Sequence, residues 1–173
     1  MFSLFASEAG IFVIFIVAYL FYAGKSISGP TASVLHAPVF LTVCLLSSSW
    51  TIHVAVGALR RNELRRFAGF WVATVVLGAA FLAGTALEWR HLIRDEGLSI
   101  QTNLFGTTYY SLVGLHAFHV SLGVIALAAV SLLTASGHVK REHAERIDLL
   151  SLYWHFVDVV WIAVFLVVYV IGR

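Results

Sequence analysis

Long apolar runs, separated by short polar stretches, occupy most of the chain. A helix that crosses a bilayer needs about 20 mostly apolar residues, and each run reaches roughly that length. The runs are too long and too uniformly apolar to be barrel strands, in which apolar and polar positions alternate. The pattern predicts an all-α integral membrane protein, a single domain over residues 1–173 with five transmembrane helices, at about residues 2–24, 38–59, 67–87, 107–136 and 149–172.

The stretches between the runs contain charges, glycine or proline, which interrupt a membrane helix. They are residues 25–30, 60–66, 90–97 and 140–148. The first run has Glu8 near its start, no basic segment before it and no small-residue cleavage site, so it does not resemble a removable signal peptide. We expect it to remain as the first membrane helix.

Composition supports lipid as the solvent of this protein. Of the 173 residues, 60% are hydrophobic and only 12% are charged, whereas soluble domains carry about 25% charged residues. A globule this small cannot bury such an apolar surplus. A soluble enzyme, a nucleic-acid-binding domain and a secreted disulfide scaffold are therefore excluded, the last also because Cys44 is the only cysteine.

Basic residues are distributed unequally between the two ends of the predicted helices. With five helices, the amino terminus shares a side with the second and fourth polar stretches. That side holds Arg60, Arg61, Arg65, Arg66, Lys140, Arg141 and Arg146, and the other side holds Lys25, Arg90, Arg94 and Arg173. Since loops rich in lysine and arginine stay in the cytoplasm, we expect a cytoplasmic amino terminus and an external carboxyl terminus.

Ionisable side chains inside the predicted helices are costly, so each is a functional hypothesis. Glu8 could reach the cytoplasmic interface, or it could be buried and pass protons. His155 and Asp158 are three residues apart and share one helix face, where we expect Asp158 to accept a hydrogen bond from His155 or from a histidine of the fourth helix. Such a network could lock helices together or handle protons directly.

The histidines are also candidate ligands of a metal or a haem. His116 and His119 share a face of the fourth helix, and either could in principle pair with His53 or His155 as axial haem ligands. A dinuclear copper site needs paired thiolates, whereas Cys44 is alone. No zinc-like ligand spacing occurs either. We expect no metal and no redox centre in this chain.

Five short motifs, in order along the chain, resemble one family. The most specific is YWHFVDVVW at 153–161, which closely resembles the last-helix signature of subunit III of the haem-copper respiratory oxidases. GTTYY at 106–110 and GLHAFHVSLG at 114–123 are similar to its glycine-rich stretch with two histidines. The EW pair at 88–89 and the SE pair at 7–8 match further positions of the family.

The resemblance implies a five-helix bacterial form of subunit III in the plasma membrane. Family members bind no haem or copper, which lie in partner subunits; they pack on catalytic subunit I in a complex with subunit II, support proton uptake, protect against inactivation during turnover and hold phospholipid. Glu8 would be the proton-uptake residue. The resemblance also implies a structural polar network of Glu88, His116, His119, His155 and Asp158. It further implies an aromatic signature of Tyr153, Trp154 and Trp161.

Other functions stay open at this point. An accessory protein of the same family attached to a nitric oxide reductase also keeps five helices. A haem-b membrane anchor of a dehydrogenase and a small transporter or channel are alternatives from other classes. The long form of the family has seven helices, the first two of which enclose a lipid cleft, so a chain with five predicted helices leaves that cleft in doubt.

Overall fold

The computed structural model describes residues 2–22, 25 and 29–171. Within these residues the fold is all-helical, as the apolar pattern predicts, and five helices are long and apolar enough to cross a membrane. The helices are α1 (Phe2–Tyr22), α2 (Val39–Arg60), α3 (Leu64–Arg94), α4 (Leu104–Ala135) and α5 (Ala144–Phe165). Short 3₁₀ turns at Ala32–Val34 and Arg141–His143 precede α2 and α5.

Helices α3 and α4 are longer than the apolar runs that predict them. They contain 31 and 32 residues, or about 46–48 Å at about 1.5 Å per residue, while the hydrocarbon core of a bilayer is about 30 Å thick. α3 continues through Arg90 to Arg94 because helical backbone hydrogen bonds do not require an apolar side chain. The apolar run therefore predicts the part of the helix that lies in lipid and does not predict the helix ends.

α2 ends in a tight turn that leads directly into α3. Asn62 has φ 62°, in the left-handed region that side-chain-bearing residues rarely adopt. Its N–H bonds to the Leu59 carbonyl and the Glu63 N–H bonds to the Ala58 carbonyl, both at 2.9 Å. These two bonds form the Schellman arrangement, which satisfies carbonyls left open at the end of a helix.

Glu63, in this connection, is held between two arginines. Arg66 Nη1 donates to its Oε2 at 3.1 Å, and Arg61 Nε donates to its Oε1 at 3.4 Å. The hydrogen bond from Arg66, followed by the positive charges of Arg66 and Arg61, keeps the pKa of Glu63 below its ordinary value. All three side chains face solvent, so these ion pairs add little stability.

The last turn of α5 widens. Leu166–Ile171 form a π-helical turn, a rare conformation that usually occurs as a single turn. Val168 and Tyr169 in this turn are buried. The Tyr169 hydroxyl lies 3.3 Å from the hydroxyl of Tyr109 on α4, so the turn places a polar contact between the two helices.

The described residues form two compact units. The first comprises parts of Met1–Pro38, Thr85–Phe118 and Val159–Arg173, and the second comprises Val39–Gly84 and His119–Asp158. The core of the first unit contains Phe12 and Tyr19 of α1 together with Phe105 and Tyr109 of α4.

The second unit has an aromatic and hydroxyl core. Trp71 of α3 is fully buried, and its indole N–H donates to the Leu127 carbonyl of α4 at 2.9 Å. Thr51 of α2 and Thr74 of α3 are buried and share a hydrogen bond of 2.8 Å. Such polar contacts join membrane helices because lipid offers no alternative partner.

Candidate functional site

Trp154 of the 153–161 motif is the centre of helix packing in the second unit. Its side chain is fully buried. A Cβ on Gly78 of α3 would lie 2.7 Å from its ring, and a Cβ on Gly123 of α4 would lie 2.7 Å from another edge of the ring. Both distances are shorter than van der Waals contact, so the two glycines make room for the indole between α3 and α4.

The indole N–H of Trp154 has a defined partner. It donates to Ser48 Oγ of α2 at 2.8 Å, and the Ser48 hydroxyl in turn donates to the Leu45 carbonyl at 2.5 Å. A buried indole N–H generally needs such an acceptor. Trp154 therefore contacts α2, α3 and α4 from α5.

Next to this contact, Ser49 of α2 joins His155 and Asp158 of α5. Ser49 Oγ lies 2.9 Å from His155 Nδ1, and the same hydroxyl donates to Asp158 Oδ2. A serine hydroxyl has one hydrogen. With that hydrogen assigned to Asp158, His155 takes the tautomer that carries its proton on Nδ1, and Nδ1 donates to the serine oxygen. The carboxylate is thus linked to His155 through a serine, where the sequence predicts a direct bond from a histidine.

Ser48 and Ser49 are not among the site residues that the sequence predicts. The signal for them is the run SSSW at 47–50, in the middle of a largely apolar helix. Hydroxyls in membrane helices usually bond to their own backbone, so the run alone does not indicate which serine faces another helix. The register between α2 and α5 decides this.

Two other residues of the family motifs meet in the second unit. The Tyr153 hydroxyl donates to the His119 carbonyl at 3.1 Å, which ties α5 to α4 through the backbone. The His119 side chain is buried.

His116 lies in the first unit and is enclosed by aromatic rings. It is fully buried and stacks on Trp161 of α5, with ring centroids 5.0 Å apart and an angle of 28°. The edge of the Phe12 ring of α1 approaches it with a centroid distance of 6.4 Å. The structure thus places His116 with Trp161, and His155 with Asp158, in different units.

Glu88 and Trp89 lie near the carboxyl end of α3, in the first unit. Both are half-buried, and within the described residues neither Glu88 Oε1 nor Trp89 Nε1 has a hydrogen-bond partner. The Trp89 ring packs edge-on against Tyr110 of α4 at 5.4 Å. Tyr110 in turn donates to the Leu98 carbonyl at 2.8 Å.

Glu8 lies in the second turn of α1 and is half-buried. Residues 8, 12 and 19 share one helix face, and Phe12 and Tyr19 on that face are buried. Glu8 is therefore on the packed side of α1.

In the part of the chain that the structure describes, no group of three or more histidine, cysteine or carboxylate side chains is arranged to hold a metal ion. His155 Nδ1 and Asp158 Oδ2 instead form hydrogen bonds with Ser49 Oγ. The site consists of polar contacts between helices.

These helices and buried polar contacts define the class, a multi-pass helical membrane protein held together by interhelical hydrogen bonds and aromatic packing. The chain belongs to the cytochrome c oxidase subunit III family, whose model matches residues 6–173.

Curated relatives agree with this membership. The chain is 34% identical to cytochrome c oxidase subunit 3 of Alkalihalophilus pseudofirmus over 168 residues, which cover 95% of this chain and 82% of the relative. It is 33% identical to cytochrome c oxidase subunit 3 of Corynebacterium diphtheriae, with coverage of 94% and 80%. It is also 33% identical to a probable quinol oxidase subunit 3 of Staphylococcus saprophyticus, with coverage of 87% and 74%.

Family membership confirms the resemblance seen in the sequence motifs. The chain is a subunit III protein of the haem-copper oxidases and, as such, a member of a multi-subunit complex. Its five apolar helices and its bacterial relatives make it a multi-pass bacterial membrane protein.

Proposed function

We propose that this chain is the non-redox subunit III of a haem-copper terminal oxidase, where it packs on catalytic subunit I alongside subunit II. In this role it supports proton uptake from the cytoplasm and stabilises the enzyme during turnover, while partner subunits hold the haems and copper that reduce oxygen and pump protons. The observation that carries the proposal is the family match over residues 6–173, which covers α2 to α5 and α1 except for its first turn.

The arrangement of the helices supports a structural role. Contacts between α2, α3, α4 and α5 in the second unit use buried hydroxyls and indoles. Large apolar side chains such as Phe40 and Ile14 remain exposed, at 76% and 68%, and we propose that lipid and neighbouring subunits cover them. The chain then provides a low-dielectric wall beside the catalytic subunit.

Glu8 is the proposed proton-uptake residue. Its position on the packed face of α1 supports this role because a carboxyl group there is partly shielded from water while it stays within two turns of the helix start. The proposed cytoplasmic amino terminus would put Glu8 on the side from which the oxidase takes up protons.

The test compares oxidase complexes purified with native chain, with Glu8→Gln and with Glu96→Gln. Glu96 is an exposed carboxylate in the loop after α3 and serves as the matched control. We expect the initial rate of oxygen consumption to be near native in all three. Activity should decline several-fold faster over successive turnovers in Glu8→Gln alone.

Equal decline in all three complexes would contradict the role of Glu8. Loss of the chain from the Glu8→Gln complex is checked by gel analysis of the same samples, and it would assign Glu8 to assembly instead.

A further inference from the structure

We propose that residues of α2 and α5 line a hydrated path for protons, called the branch below. It begins at the Arg60–Asp148 ion pair and ends at the buried carboxyl of Asp158. The branch binds water and a proton. Only the use of the branch rests on the proposed function: in the oxidase, the branch supplies a group that exchanges protons.

Two polar stripes, one on α2 and one on α5, face each other within the second unit. At one end, Arg60 Nη2 donates to Asp148 Oδ2 at 2.7 Å, and both side chains are exposed. Eleven residues earlier on α2, Ser49 contacts both His155 and Asp158. Since a helix rises about 1.5 Å per residue, about 16 Å separates the two ends of the stripes.

A cavity of about 310 Å³ lies along the outer part of the stripes and reaches inward as far as His155, which links it to Ser49 and Asp158. Arg60 and Asp148 line it at the exposed end, His53 and Ser151 line it between, and His155 lines it next to Ser49. A water molecule takes up about 30 Å³ in the liquid, so the cavity has room for several. Apolar side chains form part of its lining, and the polar side chains named above provide the partners that such waters need.

The inner end contains a polar atom that needs a partner. Asp158 is 2% exposed, and while its Oδ2 accepts from Ser49, its Oδ1 has no hydrogen-bond partner within the described residues. A buried carboxylate oxygen without a partner is costly. Protonation of the carboxyl removes its charge and so lowers this cost.

The hydrogen bonds have the direction that a proton transfer requires. In the arrangement shown, His155 Nδ1–H donates to Ser49 Oγ, and Ser49 donates to Asp158 Oδ2. A hydronium ion that enters the cavity from outside gives its proton to His155 Nε2 and becomes water, and the ring becomes cationic. The ring then releases its Nδ1 proton to Ser49 as the serine hydroxyl proton passes to Asp158.

The transfer is balanced. One proton leaves the hydronium ion and one arrives on the carboxylate, while His155 ends neutral with its proton on Nε2 and no electron moves. The reverse sequence returns the proton. The charged and titratable groups that face this path are Arg60 and His53 on α2, and Asp148, His155 and Asp158 on α5.

The test is hydrogen–deuterium exchange of the Asp158 carboxyl in the complete complex, purified by a tag on this chain. The infrared band of the carboxyl C=O stretch monitors the exchange as the pH is lowered. Asp158→Asn identifies the band. Gly57→Leu blocks the cavity, because Gly57 lines it and a Cβ there meets only the Arg61 guanidinium, at 3.7 Å. Gly69→Leu is the matched control, since a Cβ at Gly69 meets nothing within 4 Å.

We expect the Asp158 band to exchange rapidly in the native complex and in Gly69→Leu, and to exchange about tenfold or more slowly in Gly57→Leu. Equal exchange in all three complexes, or no Asp158-dependent carboxyl band at any pH, would overturn the branch. This measurement uses the resting complex, so it remains valid if the Glu8 turnover test fails, and the two failures are distinguishable.

Discussion

At the scale of single residues, glycines decide how the helices of the second unit approach one another. Gly78 and Gly123 leave the space that the Trp154 indole occupies. The sequence identifies Trp154 as part of a family signature, whereas its two glycine partners on other helices have no local pattern that links them to it. Their role follows from the helix register, which only the tertiary structure provides.

Gly123→Ala should destabilise the protein. The new Cβ would lie 2.7 Å from the Trp154 ring, and overpacking of this kind costs about 1–3 kcal/mol. Heat denaturation of the detergent-solubilised complex, monitored by circular dichroism, measures the effect. Gly69→Ala is the control, because its Cβ is unopposed and alanine favours a helix over glycine by up to about 1 kcal/mol. Equal stability of the two variants would contradict the packing account.

Ser49→Ala should destabilise the contact between α2 and α5. The substitution removes the acceptor of His155 and the donor to Asp158 together. Interhelical hydrogen bonds in membrane proteins contribute about 0.6 kcal/mol on average and up to about 1.7 kcal/mol, and we expect the upper end here. Ser47→Ala, at an exposed position two residues away, should leave the same denaturation curve unchanged. A similar small effect for both serines would contradict the bridging role of Ser49.

At the scale of helices, the apolar runs predict the number and approximate positions of the spans but not their ends. α3 continues through polar residues at both of its ends, and α5 begins at Ala144, before its apolar run, because backbone bonding does not require apolar side chains. The end of α2 has a more specific cause, the left-handed conformation of Asn62. Asparagine tolerates this conformation better than other residues with a side chain, apart from aspartate.

Asn62→Ala should therefore weaken the connection between α2 and α3 by about 1–2 kcal/mol, the cost of a left-handed conformation for a residue with an ordinary Cβ. Asn62→Gly should match or exceed the native stability, because glycine adopts this conformation without strain. Thermal denaturation of the two variants under identical conditions is the measurement. Alanine tolerated as well as glycine would show that this helix end does not constrain the fold.

At the scale of the whole molecule, the family motifs predict more than local patterns do. Composition and periodicity predict a five-helix membrane protein, and the YWHFVDVVW run predicts the family. The shared face of His155 and Asp158 could be predicted from their spacing. The serine that links them could not, because it is 106 residues from His155 in sequence and no local signal encodes which α2 position faces α5.

Orientation in the membrane is also a property of the whole chain. The excess of basic residues in the second and fourth polar stretches predicts a cytoplasmic amino terminus. Alkaline phosphatase, which is active only outside the cytoplasm, should be active when fused after Arg173. The same enzyme fused after Gly137, in the connection between α4 and α5, should be inactive. The opposite pattern would reverse the orientation and remove Glu8 from the proton-uptake side.

The central claim is that this chain works as a subunit of a haem-copper oxidase. The most direct test is purification of the tagged chain from native membranes in mild detergent, with its partners identified by mass spectrometry and their haems by absorption spectroscopy. We predict that subunits I and II of a haem-copper oxidase purify with it, together with a haem spectrum and oxygen-reducing activity. Nitric oxide reductase subunits in their place, or the chain alone without haem, would contradict the claim.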